Sequence, residues 1–288
     1  MRLRLHMVLM LGGSCVLAVS GASFAQKVHE NQEIRRTLKF APDAQQRQLV
    51  VDNISGEISV TGYDGTDVEL VARREIEGES QEKIEEAKRD VVLDIKEESN
   101  KVILYVDAPW RCKDGINYRG WHYYGYDVTY DFELKVPHKT SLYLKTVNRG
   151  KVIVDDVEGE FEVGDVNAGI EMTRISGPVK AVTVNGPVKV SFTRNPQSDC
   201  YFKTVNGKVK VTLRDGLDAD LAFKTFNGQV YTDFEVTGLP RKVATIEKRS
   251  GQRKIYRRGE YFSVRAGRGG TEYKFNTLNG NIYILKQD

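Results

Sequence analysis

The chain has 288 residues, with 43 Lys and Arg against 40 Asp and Glu and a formal net charge of +3. So even a balance argues against a dedicated nucleic-acid binder, which would carry a clear basic surplus. Hydrophobic residues make up 40%, enough for one large all-β domain or two small ones, and no apolar run beyond the N-terminal region is long enough to cross a bilayer as a helix.

Arg2 and Arg4 give a positive start, Met7 to Val19 is a short apolar run broken by glycine, and Ser23-Phe24-Ala25 offers small residues where a signal peptidase cleaves. Residues 1–25 therefore read as a secretory signal peptide, with a membrane anchor as the lesser alternative. Cys15 is a poor lipidation site, because Gly12-Gly13-Ser14 before it lacks the expected leucine. Export to the periplasm or cell surface puts Cys112 and Cys200 in an oxidising compartment, where they either pair or remain two buried thiols. Residues 26–48 read as a lead-in, and 49–288 as a single β domain with insertions at 79–126 and 239–270.

The first insertion opens with Ser80 to Arg89, SQEKIEEAKR. Ser80 is a helix cap, Glu82 suits the first turn, and Ile84 and Ala87 share one face. This short helix is expected to cap an open end of the domain. Asp90 to Val106 reads as two strands around Ser99-Asn100. Next comes PWRCKDGINYRGWHYYGY, Pro109 to Tyr126, which holds both tryptophans of the chain. Trp110, Tyr118, Trp121 and Tyr123, with Arg111 and Arg119, form a candidate ligand-binding loop for a glycan or a protein partner. The bland alternative is a lid whose Tyr124 and Tyr126 already belong to the following strand.

From there a phrase repeats: TVNGPVKV from Thr183, TVNGKVKV from Thr204, TFNGQVYT from Thr225 and TLNGNIYI from Thr277. Its corners are Asn185-Gly186, Asn206-Gly207, Asn227-Gly228 and Asn279-Gly280. Weaker copies run through Asn148 and Val163 to Gly169, where Asp165 stands in the threonine column. Apolar residues alternate with Lys, Gln, Asn or Tyr on both sides of each corner, as in strands with one buried face. Asn-Gly between such runs suits a hairpin, so an antiparallel meander is open. Recurrence by column about every twenty residues fits a solenoid better, with Asn above Asn as an amide ladder, Thr above Thr, and glycine at positive φ. The fold class expected is all-β: a right-handed β-helix-like solenoid of about 20-residue coils with Asn-Gly corners.

The third irregular segment, Leu239 to Gly270, concentrates basic residues. Arg249, Arg253, Lys254, Arg257 and Arg258 form its candidate basic patch, for acidic glycan, anionic lipid or cell-wall phosphate. The alternative is a solvated hairpin.

The string Val136-Pro137 followed by SLYLKTVNRGKVIVDDVEGEFEVGDVNAGIEMTRISGPVKAVTVNGPVKV resembles the bacterial putative-adhesin family, secreted β-solenoid domains with no assigned activity. NISGEISVTGYDGTDVELVARRE, from Asn53, resembles that family's opening strands. The resemblance implies an envelope protein without catalytic residues. The residues point the same way. Asp155-Asp156 is the best carboxylate pair, yet neighbours on a strand face opposite ways. His29, His122 and His138 lack metal-ligand spacing. No cofactor, metal or nucleic acid is expected. The partner is an unidentified envelope glycan or protein. A β-helix polysaccharide lyase or hydrolase and a self-assembling envelope element remain the alternative functions.

Overall fold

The computed structural model of the protein describes residues 27–112, 115–116, 123–240, 246–250, 253–257 and 261–287. The signal-peptide reading thus lies outside the described residues. The chain begins with β1 (Val28–Leu38), β2 (Gln48–Asp52), β3 (Ile58–Tyr63) and β4 (Val68–Gly78), then α1 (Gln81–Asp90). β5 (Val92–Glu97), β6 (Lys101–Asp107), β7 (Arg111–Cys112), β8 (Gly115–Ile116) and β9 (Tyr126–Pro137) follow. The repeat region holds β10 (Ser141–Lys145), β11 (Val152–Asp155), β12 (Phe161–Gly164), β13 (Ile170–Ile175), β14 (Val179–Val182), β15 (Val188–Phe192), β16 (Cys200–Lys203) and β17 (Val209–Leu213). The C-terminal part holds β18 (Ala219–Lys224), β19 (Val230–Thr232), β20 (Val236–Gly238), β21 (Ile246–Ser250), β22 (Arg253–Arg257), β23 (Phe262–Ala266), β24 (Thr271–Asn276) and β25 (Ile282–Lys286).

The fold is all-β, with two large mixed sheets and, among the described residues, one helix. The first sheet runs β1-β4-β9-β3-β11-β13-β15-β17-β25-β19, and the second β20-β23-β18-β24-β16-β14-β12-β10-β2-β6-β5. Neither closes on itself, and their inner faces share one core, as in a sandwich. Period-two alternation builds that core. In β17, Val209, Val211 and Leu213 are buried while Lys210 and Thr212 face out. Strands β10 to β17 alternate between the sheets, and each of β10 to β15 pairs in parallel with the strand two further on. Parallel pairing removes the antiparallel meander for the repeat.

The segment read as a lead-in carries β1, which pairs antiparallel with β4. The helix begins one residue after its cap. Ser80 Oγ accepts from the Lys83 amide at 3.3 Å, and Ile84 and Ala87 are buried. It links β4 in the first sheet to β5 at the edge of the second, so it covers the N-terminal end of the core.

At the other end the stacking departs from sequence order. β24 inserts between β16 and β18, and β25 between β17 and β19. The expected arrangement, each coil resting on the one before it in sequence, fails here. The physical reason is that the phrases have interchangeable columns. Phe275 stacks between Phe202, at 5.2 Å, and Phe223, at 5.3 Å. Residues 271–287 match either neighbour, so the last segment of the chain occupies an inner position.

The corners show why the phrase repeats. Asparagine side chains form one continuous ladder. Nδ2 of Asn167 donates to Asn148 Oδ1 at 2.7 Å, Asn185 to Asn167 at 3.0 Å, Asn206 to Asn185 at 2.9 Å, Asn279 to Asn206 at 2.7 Å and Asn227 to Asn279 at 2.8 Å. The threonines bond differently from the expected Thr-to-Thr row. Thr204 Oγ1 donates to the Gly186 carbonyl at 2.8 Å, Thr277 to Gly207 at 3.1 Å and Thr225 to Gly280 at 3.1 Å. Glycine is required for a different reason too. Gly207, Gly228 and Gly280 do not have positive φ. A Cβ on Gly207 would lie 2.1 Å from the Gly186 carbonyl oxygen, and one on Gly280 1.9 Å from that of Gly207. Close approach of adjacent corners excludes any side chain.

One coil breaks the pattern. Asp165 takes the threonine position, is 4% exposed, and its Oδ2 accepts from the Ala168 amide at 2.9 Å. Its Oδ1 and the buried Thr183 Oγ1 in the adjacent coil have no hydrogen-bond partner among the described residues. Burial raises the Asp165 pKa, against the lowering effect of backbone amides at 166–169. A folded-state pKa above the unfolded value favours folding at acid pH, and that advantage is lost as pH rises through the folded value. Asp165→Asn should therefore gain in thermal stability over wild type as pH rises from about 4 to 7. Parallel melting curves across that window check this; a constant difference would show that folding does not raise the Asp165 pKa. Asn206→Ala removes two ladder bonds, so urea unfolding should show a loss of about 1–2 kcal/mol.

Candidate functional site

The outer face of the second sheet carries side chains that the core does not use. Tyr143, Glu162, Lys180, Tyr201 and Lys274 are in register on consecutive strands β10, β12, β14, β16 and β24. They line a solvent-open trough of about 680 Å³, with Asp199 and Glu272 along one side. Both tyrosines are half-buried. They stand three strand spacings apart, about 14 Å. Between them Glu162 and Lys180 form an ion pair at 2.7 Å. Lys274 pairs with Glu272 at 2.6 Å, and Asp199 Oδ1 accepts from the Glu272 amide at 2.8 Å. Two residues beyond Glu162 on the same face of β12, Gly164 leaves room: a Cβ there would meet only the Lys145 side chain, at 3.9 Å.

The arrangement offers two aromatic faces separated by a row of paired charges. Such a surface can stack on apolar ring faces and exchange hydrogen bonds with hydroxyls. A smaller hollow of about 350 Å³, lined by Gln46, Ser141, Glu158 and Ser176 among others, has no aromatic ring in its wall. Sequence reading did not single out the trough, because a Tyr or Lys between core residues looks like an ordinary solvated strand face. The only available signal was the recurrence of Tyr143 and Tyr201 in the same column.

The aromatic loop is partly turned inward. Trp110 packs against the core, with ring centroids 5.0 Å from Tyr124 and 6.4 Å from Tyr126. Tyr126 belongs to β9 and donates to Asp90 Oδ2 at 2.7 Å. The Arg111 side chain is only 3% exposed, pairs with Asp52 at 3.0 Å and lies 4.4 Å from the Tyr105 ring centroid. Tyr123 projects, 79% exposed, and donates to Glu79 at 2.6 Å. Tyr118, Arg119 and Trp121 lie outside the described residues.

In the basic segment, Arg249, Arg253, Lys254 and Arg257 lie on the β21–β22 hairpin, with Arg249 directly opposite Lys254. Arg258 lies outside the described residues. Two other cations of the segment are neutralised: Arg265 pairs with Asp220 at 2.7 Å and Arg268 with Asp218 at 2.6 Å. Asp155 and Asp156 go to separate partners. Thr173 and Arg174 bind Asp155, while Asp156 faces His138 Nδ1 at 3.7 Å. Among the described residues no group of three His, Cys, Asp or Glu is arranged to hold a metal ion.

Cys200 is a free thiol facing the core in β16. It is not bridged to Cys112. The residue before Cys112 is tied to Asp52 in β2, four strands away from β16 in the second sheet. That is roughly 19 Å, far beyond disulfide reach.

No protein-family model and no curated protein sequence matches this chain. Solved structures do. A putative cell adhesion protein from Clostridium sporogenes is 11% identical, with 90% of this chain and 100% of that one covered and a TM-score of 0.40. A putative adhesin from Bacteroides fragilis is 10% identical, covering 89% and 97%, with a TM-score of 0.38. A protein described as putative lipid binding, from Parabacteroides distasonis, is 9% identical, covering 90% and 97%, with a TM-score of 0.30.

Burial pushes the Cys200 thiol up to about 12, so the thiolate needed for reaction is scarce in the folded state. In a Cys112→Ser background, Cys200 should resist iodoacetamide at pH 8 and react once urea unfolds the chain. Rapid labelling of the folded protein would contradict this burial.

Proposed function

We propose that the protein is an exported, non-catalytic binding protein of the bacterial envelope, with the trough on the second sheet as its ligand surface. One observation carries the reading: Tyr143 and Tyr201, held on a rigid sheet, flank a row of paired charges open to solvent. A short oligosaccharide segment suits such a surface, because its ring faces stack on tyrosine and its hydroxyls meet carboxylates and ammonium groups. Strands hold these groups more rigidly than a loop would, so little ordering entropy is lost on binding. The exposed Tyr123, with Trp121 two residues before it in sequence, forms a second contact region, whereas Trp110 and Arg111 serve as a lid.

The winding of the chain supports the same picture. We read β10 to β17 as a flattened solenoid of about 20-residue coils, right-handed as parallel crossovers are. Each coil then adds one residue to every outward column, and the ligand surface grows with the number of coils.

The test is retention on immobilised polysaccharides and envelope fractions. The comparison is between wild type, Tyr143→Ala/Tyr201→Ala, and Trp110→Ala/Trp121→Ala, all with matching circular dichroism spectra. The tyrosine pair should lose at least about tenfold in affinity, or 1.4 kcal/mol. Loss confined to the tryptophan pair would move the site to the loop. Release of reducing ends or unsaturated sugars from the same polysaccharides would replace the binding reading with an enzymatic one.

A further inference from the structure

The two layers end unevenly at the C-terminal side. The first sheet stops at β19, but the second continues for two more strands, β23 and β20. Directly paired residues share a face. Phe262 therefore lies on the core side with Phe223, and Val264 with Leu221. Val236 joins them through its pairing with Ala266. Opposite this overhang the first sheet has no strand among the described residues. Phe234, on the crossing from β19 to β20, packs against the core and fills part of the step. The rest is open. Phe262 is 50% exposed and Val236 39% on this face, and at the adjoining corner of the terminal strands Phe226 is 77% exposed beside Leu278. Most of the exposed large apolar side chains of the described residues gather at this end.

The sheet edges differ in the same sense. At the N-terminal end, edge strand β1 carries His29, Glu30, Glu33, Arg35 and Arg36, and edge strand β5 carries Asp94, Lys96 and Glu97. Charge on an edge guards it against pairing. The C-terminal edges read Val-Tyr-Thr in β19 and Val-Thr-Gly in β20, with no charge at all. The charge at that end lies beside the edges, on the exposed Asp233 and Glu235, and not within the strands themselves.

We propose that the stepped C-terminal end is a homodimer interface. The overhang is two strands wide, and so is the gap facing it. A second copy turned about a twofold axis lays its β23 and β20 into the gap of the first, and receives the first copy's overhang in return. Each β20 then lies beside the partner's β19, and Phe226, Val236 and Phe262 are covered. A self-complementary step closes after two copies, and the guarded N-terminal ends add no further subunit.

Sedimentation velocity on the purified exported protein from about 1 to 100 µM tests this. The expected result is a monomer–dimer equilibrium with nothing larger. Phe226→Lys and Val236→Lys, at exposed positions, should each weaken the dimer by about tenfold or more while the circular dichroism melt stays unchanged. Asp94→Ala/Lys96→Ala on β5 should leave the dimer intact. A wild-type monomer across the whole range overturns the proposal, as does a dimer indifferent to both lysines. Open-ended polymers would overturn the twofold geometry. None of these outcomes depends on the trough, so the ligand-binding reading stands or falls separately.

Discussion

The glycine carbonyl at each corner is the acceptor on which the stack depends. It takes a hydrogen bond from the threonine hydroxyl of the adjacent coil, as Gly186 does from Thr204. It also approaches the next glycine so closely that no Cβ fits between them. The asparagine beside it extends the ladder by one amide. Threonine, asparagine and glycine are thus three parts of one contact between coils. An interaction made entirely between neighbours, repeated at the Gly56, Gly186, Gly207 and Gly280 corners, holds the two sheets in register.

Because that contact is alike wherever the full phrase occurs, it does not specify which repeat stands next to which. This is why residues 271–287 can lie between coils that precede them in sequence. Order there is decided by packing: Phe275 fills the space between Phe202 and Phe223. Asp165 shows the cost of departing from the phrase. The coil around it has an extra residue between asparagine and glycine, and two buried oxygens lose their partners. In a low-dielectric core such losses are retained only where the neighbouring coils supply ample compensation.

Core columns and corner columns are therefore constrained, and outward columns are not. Variation in Tyr, Lys and Glu along the outer rows costs the fold little, so recognition can reside there. The aromatic loop shows the opposite use of similar residues. Trp110 and Arg111 are occupied with Tyr124, Asp52 and Tyr105, in contacts that close the N-terminal end. Type and clustering of residues suggested a binding loop; burial assigned part of it to structure.

The sequence by itself determined the strands of the repeat, the helix cap at Ser80, the buried face of each repeat and the stacking of asparagine on asparagine. All of these follow from local periodicity or from a column of like residues. It did not determine the position of the C-terminal coil, because interchangeable columns leave the order of coils degenerate until side chains pack. Nor could it separate a buried Arg111 from an exposed Tyr123, or keep Cys112 and Cys200 apart, since those depend on distances between residues remote in the chain. The trough and the two-strand step came only from tertiary structure. A surface groove and an unequal sheet edge are relations between strands, and no single strand carries their signature.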